Sequence, residues 1–243
     1  MNISLSIIIP TKNEEAYLSR LLQSIKSQTL QPAEIIIADA DSTDRTREIA
    51  KLYDCKVVKG GNHPGIGRNR GAEAAKSPLL LFLDADVVLP DKEFLQSTTK
   101  EFEERGLGVA CCLAVVTSDN VLDRVGVEII NTYFSLTETT LKNGVGYCTF
   151  ILRKIHEAIG GYNEAIVITE DQDYVARAGK LVKFRFLHRK KIEVSLRRYE
   201  HEGRIRLFLK YFYVTFYLLL KVKITKEKIP YSFNHAYLEK GDK

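Results

Sequence analysis

The sequence predicts an α/β fold with a mostly parallel central sheet flanked by helices, followed by a C-terminal amphipathic helical tail. Two observations carry this. Through the first half, short β-branched apolar runs alternate with longer segments of helical period, the rhythm of βαβ units. The strand candidates run into polar or glycine-rich turns, and ligands of open α/β sheets bind at such strand ends.

The runs at 5–9, 34–38, 55–59 and 79–83 read as strands, and 14–28, 44–52 and 67–76 as helices. Further strands are expected at 108–116 and around 147–153. Segment 181–187 alternates, with Val182, Phe184 and Phe186 on one side and Lys183 and Arg185 on the other. Segment 118–143 reads as loops. No repeat or low-complexity linker divides the chain, so 243 residues with 45% hydrophobic content are expected to form one domain over 1–203 and a tail over 204–243.

Thirty-six Lys and Arg against thirty-one Asp and Glu give a formal +5, a mild excess that suits anionic ligands but is too small to argue for nucleic acid. Cys55, Cys111, Cys112 and Cys148 include no CxxC pair and read as small buried hydrophobes in a reducing cytoplasm. The N-terminus has no basic n-region and no cleavage site of a secretory signal.

The chemistry starts at Asp84-Ala85-Asp86, which ends the apolar run 79–83. If the strand continues to Asp86, both carboxylates project to one face with small Ala85 between them. Carboxylate oxygens suit Mn2+ or Mg2+, which can bridge diphosphate oxygens and make the diphosphate a leaving group. The alternative is a turn-capping Asp84 and a solvated Asp86.

Other segments give the tripeptide its company. Ile9-Pro10-Thr11-Lys12-Asn13-Glu14-Glu15 and the segment from Ile37 through Asp39, Asp41 and Asp44 to Thr46 follow the first two strands, and Gly65-Ile66-Gly67-Arg68-Asn69-Arg70-Gly71 follows the third. Gly146, Arg153, Gly160-Gly161-Tyr162, Glu170-Asp171 and Arg177 come later in order. With these motifs the chain resembles a family 2 glycosyltransferase of the GT-A (Rossmann-like) fold, over residues 3 to roughly 180.

The resemblance implies a donor half (1–117), an acceptor and catalytic half (118–203), and a nucleotide-diphosphate sugar as donor. It places Pro10, Thr11, Asn13, Glu14, Asp39, Arg68, Asp84, Ala85 and Asp86 in the donor site. Asp39 falls where the family's acid reads the base, and a carboxylate accepting the imide N–H of uracil favours uridine over cytidine; a guanosine donor stays open. Where the family often has a second acid and then a glycine, this chain has Ala40 and Asp41. Asp39 also reads as a turn or helix-capping residue, and Arg68 as a surface arginine at a helix start.

The resemblance further implies that Asp171 is the general base of an inverting transfer, with Glu170 and Asp173 as rival candidates and Arg177 on the following helix. Read without it, Glu170-Asp171-Gln172-Asp173 is the charged first turn of a helix. The resemblance also implies Mn2+ or Mg2+, held by Asp86 with His201 as a candidate further ligand.

In the tail, Arg204, Arg206 and Lys210 precede ten uncharged residues, 211–220, and Lys221, Lys223, Lys226 and Lys228 follow. Ten is half of what a bilayer span needs. The pattern suits a helix in the interface of a cytoplasmic membrane face, with a polyprenyl or other lipid-linked acceptor sugar as partner. A helix packed in the core or in a homodimer is the alternative. Nucleotidyltransfer and a non-catalytic sugar-nucleotide-binding subunit are the rival functions, and the first lacks its usual glycine-rich basic N-terminal loop.

Overall fold

The structure, a computed structural model, describes residues 3–166 and 169–197. Its first half is built from β1 (Leu5–Thr11), α1 (Glu15–Lys26), β2 (Glu34–Asp39), α2 (Thr46–Leu52), β3 (Lys56–Lys59), α3 (Pro64–Ala74) and β4 (Leu79–Leu83). Then come β5 (Val87–Val88), α4 (Phe94–Glu104), β6 (Val109–Val115), α5 (Val121–Thr137), β7 (Cys148–Leu152), α6 (Arg153–Ala158), α7 (Glu170–Leu181) and β8 (Phe184–Val194).

One sheet runs in the order β3-β2-β1-β4-β7-β6-β8-β5. β4 is an unbroken apolar run and β1 is apolar apart from Ser6 and Thr11, because both their faces are covered by helices. α1 turns Leu18, Leu21, Leu22 and Ile25 inward at helical spacing, and with Phe94 and Phe102 of α4 they fill one layer. On the other face Ala72 of α3 and Tyr174 of α7 pack with Phe82 and Tyr162. A single sheet thus passes through both expected halves, and 204–243 lies outside the described residues.

The sheet is mostly parallel, as expected: four of its seven pairings are parallel, while β7 enters antiparallel between β4 and β6, and β5 pairs antiparallel with β8. Two differences from the expectation have physical causes. The strand of Leu79–Leu83 ends at Leu83 and does not reach Asp86, because the chain turns at Ala85, whose methyl is buried in the core. Residues 118–143 hold α5, a seventeen-residue helix rather than loops. Its apolar residues face both the protein and the outside, which blurs the 3.6-residue period.

Candidate active site

The site is assembled from loops at the carboxyl ends of β1, β2 and β4, and from the start of α7. The first two loops are laced together. Lys12 Nζ donates to the Ala40 and Asp41 carbonyls, the Asn13 amide to Ser42 Oγ (2.9 Å), and the Glu14 amide to Thr46 Oγ1 (2.8 Å). Asn13 and Asp41 take left-handed backbone (φ 54 and 57), which Asn and Asp tolerate best among side-chain-bearing residues. Asp44 ties the two loops to the start of α2: its carboxylate accepts from the Thr46 and Glu15 amides.

Asp39 is buried at the end of β2, and its carboxylate is in full use. It accepts from Thr11 Oγ1 (3.1 Å), the Ser42 amide (3.0 Å), Ser42 Oγ (2.5 Å) and Arg47 Nε (2.5 Å). Burial pushes this carboxyl up, but those donors outweigh it and hold it below its ordinary value. Four donors match the lone-pair capacity of a carboxylate. A base read by Asp39 therefore has to take the place of one of them.

Beyond β4, Asp84 and Asp86 do not share one face. Each carboxylate meets its own guanidinium. Arg68 Nη2 donates to Asp84 (2.8 Å) and Arg68 Nη1 to Glu170 (2.8 Å), so one arginine ties the β4 turn to α7. Arg68 is no surface residue: only 2% of it is exposed, and it stands over the Tyr162 ring at 5.3 Å. Burial opposes its charge, but Asp84, Glu170 and Asp171 outweigh that and hold it protonated.

Asp86 pairs with Arg197 Nε (2.9 Å), and the two other nitrogens of Arg197 donate to Glu14 at 2.9 and 3.2 Å. Arg197 also lies over the Tyr17 ring. Nothing in the sequence flags it, because its partners lie more than a hundred positions away.

α7 starts at Glu170, so the acidic run is the helix's first turn and not a segment before it. Thr169 precedes it with φ 69, an uncommon conformation for a β-branched residue, and turns the chain so that Glu170 and Asp171 enter the site. A side chain at Gly146 would press on Arg68 Nη2 at 3.0 Å and on Asp171 Oδ2 at 3.3 Å, so the loop before β7 runs close against both charged groups. Burial and the charge of Glu170 push the Asp171 carboxyl up to about 7, against the pull of Arg68. Asp173 instead pairs with Arg177 (2.7 Å), whose other nitrogens donate to the Ile159 and Gly161 carbonyls. That pair braces α7 against the glycine turn.

The glycines of 65–71 serve packing. A side chain at Gly67 would press on Pro10, and one at Gly71 would run into Ile8, so α3 rides close over β1. Asn69 exchanges both of its amide contacts with the backbone of Tyr162.

Among the described residues around the β4 turn, Glu14, Asp84, Asp86, Glu170 and Asp171 gather about the guanidiniums of Arg68 and Arg197. A polyanionic ligand brought up to these acids is helped by a cation. The hard oxygens of Asp86 fit a divalent ion that shares its coordination with phosphate oxygens. Among the described residues no three His, Cys, Asp or Glu side chains gather to hold an ion unaided. His201 lies outside the described residues.

A sequence profile described as Glycosyl transferase family 2 matches residues 6–160, more than half of the chain. The chain belongs to that family. Among its family 2 relatives, the O-antigen chain rhamnosyltransferase WbaN of Salmonella anatum is 27% identical over 192 residues, 72% of this chain and 60% of the relative. A 4,4'-diaponeurosporenoate glycosyltransferase of Staphylococcus haemolyticus is 38% identical over 116 residues, 43% of this chain and 30% of the relative. The chain thus spans 60% or less of either relative's own length.

Solved structures show the same GT-A fold. The mannosyltransferase PcManGT of Pyrobaculum calidifontis, in complex with GDP-Man and Mn2+, superposes with a TM-score of 0.70 at 17% identity, covering 93% of this chain and 66% of that one. S. aureus TarS in complex with UDP gives 0.66 at 21% identity, covering 80% and 61%. Within the family 2 chain, Arg47 and Arg197 touch candidate site residues that the sequence named, without themselves being singled out there. Tyr162 was quoted with the Gly160-Gly161 pair, but its place under the Arg68 guanidinium had no local signal.

Proposed function

We propose that this chain transfers a sugar, with inversion, from a nucleotide-diphosphate sugar to an acceptor hydroxyl or phosphate, with Asp171 as general base. The observation that carries the reading is the placement of Asp171. Its carboxyl stands in the first turn of α7, half-buried, among Arg68, Gly146 and Glu170, with a proton affinity pushed up to about 7. A base with that affinity takes a hydroxyl proton effectively near neutrality.

In the transfer, the acceptor oxygen bonds to the anomeric carbon while the bond from that carbon to the diphosphate breaks. The acceptor proton passes to Asp171, and nucleoside diphosphate leaves. Arg68 orients both ends of the site through Asp84 and Glu170, and Asp84 lies toward the ribose or metal edge. Asp86 would hold Mn2+ or Mg2+, with His201 a candidate partner, and the ion would compensate charge on the leaving group. Asp39 reads the base after exchanging a hydrogen bond with Ser42 or Arg47. A uridine donor is favoured, with guanosine as the other candidate, and relatives of this fold have been seen with UDP and with GDP-Man.

The acceptor belongs to glycan or cell-envelope synthesis and is lipid-linked in our reading, consistent with relatives named for O-antigen chain and diaponeurosporenoate transfer. The tail 204–228 would bring the site to a membrane surface on the cytoplasmic side.

The test is a panel of UDP- and GDP-sugars with Mn2+ or Mg2+, following nucleoside diphosphate release and product on lipid-linked and soluble acceptors. Diphosphate release that needs Asp171 supports the proposal. Pyrophosphate release would assign a nucleotidyltransferase, and tight donor binding without turnover a binding subunit.

A further inference from the structure

Of the ten large hydrophobic side chains exposed among the described residues, seven lie on α5. Leu122, Val125, Ile129, Tyr133 and Leu136 follow one another at helical spacing along one side, and Leu122, Ile129 and Leu136 are 73%, 65% and 77% exposed. The opposite side of the helix is already used: Val127 and Asn131 are buried, and Phe134 stacks on Phe186 of β8. At 1.5 Å per residue the outer row is about 21 Å long.

Three properties say what covers this row. Its acids are held in place: Asp123 is buried and accepts from Ser118 Oγ, Glu128 pairs with Lys191 (2.6 Å) and Glu138 with Arg185 (3.4 Å), so two of the three are compensated by cations and the third does not face outward. The chain leaves the described structure at the foot of the same helix, where Leu196 packs against the cluster of Ala114, Val116 and Val127. From residue 198 onward the sequence carries ten Lys and Arg against five Asp and Glu, so this segment holds the whole net charge of +5, and the rest of the chain balances to zero. A single row of side chains is also narrower than the roughly 800 Å² per partner of a stable dimer. A helix lying in a bilayer interface needs only such a row, with basic residues nearby and an aromatic such as Tyr133 at headgroup level.

We infer that the outer face of α5 is a membrane-docking surface that inserts into the interface of an anionic bilayer. The face lies outside the donor site, and the inference stands whether or not the sugar-transfer reading holds.

The experiment uses the full chain and vesicles of phosphatidylcholine with or without phosphatidylglycerol. An environment-sensitive fluorophore goes on Ile129→Cys, with Leu52→Cys on α2 as an equally exposed control on the other layer. The four native cysteines are buried, which leaves the introduced thiol as the reactive one. Immersion of the label at 129, absent at 52 and dependent on phosphatidylglycerol, is the expected result. The combined variant Leu122→Ser, Ile129→Ser, Leu136→Ser should lower vesicle partition at least tenfold while keeping the parent's circular dichroism and mass in solution. Equal partition of parent and variant overturns the inference. So does burial of the label without vesicles, whether it follows protein concentration, as a second copy would require, or the presence of residues 204–243, as an intramolecular cover would.

Discussion

Asp171 keeps a proton unusually well for a carboxyl group, because burial and the adjacent Glu170 disfavour its charge more than Arg68 favours it. Transfer is therefore expected to rise with pH through a limb near 7, in kcat/KM measured from pH 5 to 9. Asp171→Asn should lower the rate by about 10²- to 10⁴-fold with donor affinity unchanged by calorimetry. The same shift acts on stability. A carboxyl whose folded-state affinity lies above its unfolded value contributes stability at low pH, and this is lost as pH rises through about 7. Thermal unfolding should thus show Asp171→Asn gaining on the parent between pH 5 and pH 8. Arg197 is the residue-scale feature that the linear sequence hides, since its meeting with Glu14 and Asp86 exists only once β8 has joined the sheet. Arg197→Gln should cost about 3 kcal/mol, because it removes the guanidinium that the largely buried Glu14 and Asp86 carboxylates share. It should also raise Mn2+ affinity several-fold in the donor-free protein, since a competing cation is gone; manganese EPR titration reads this directly.

Helices and strands were legible where one force set their pattern. β1, β2 and β4 are mainly apolar because both sheet faces are covered, and α1 shows a clean inward stripe, so their positions follow from periodicity. α5 escaped because a helix apolar on two sides has no polar face to phase it. The carboxyl ends of the strands were legible as a binding region, but the side-chain directions of Asp84 and Asp86 were not. A turn at Ala85, buried for its methyl, sends them to different arginines. α3 is held so close to β1 that Gly71 has no room for a methyl group against Ile8. Gly71→Ala is expected to cost about 1–3 kcal/mol through overpacking, read as a lower urea midpoint with an unchanged slope.

At the scale of the molecule, one sheet joins the residues before and after 117, and Arg68 ties the β4 turn to α7 through Asp84 and Glu170. Arg68→Met should destabilise the protein by about 3 kcal/mol, since it takes the cation from the largely buried Glu170 and from the part-exposed Asp84. The parallel half was readable in chain order; the antiparallel insertion of β7 was not, because no local signal says which strand edge a late segment will join. That insertion has a consequence for synthesis. β4 gains β1 as a neighbour as soon as both have been made, but its second edge stays bare until residues 148–152 leave the ribosome. The waiting edge is Leu-Leu-Leu-Phe-Leu, with no charge or proline to deter a stranger. Nascent chains arrested at Asn143 should therefore sediment as aggregates or recruit holding chaperones, and chains arrested far enough past Leu152 for residues 148–152 to have cleared the exit tunnel should escape both.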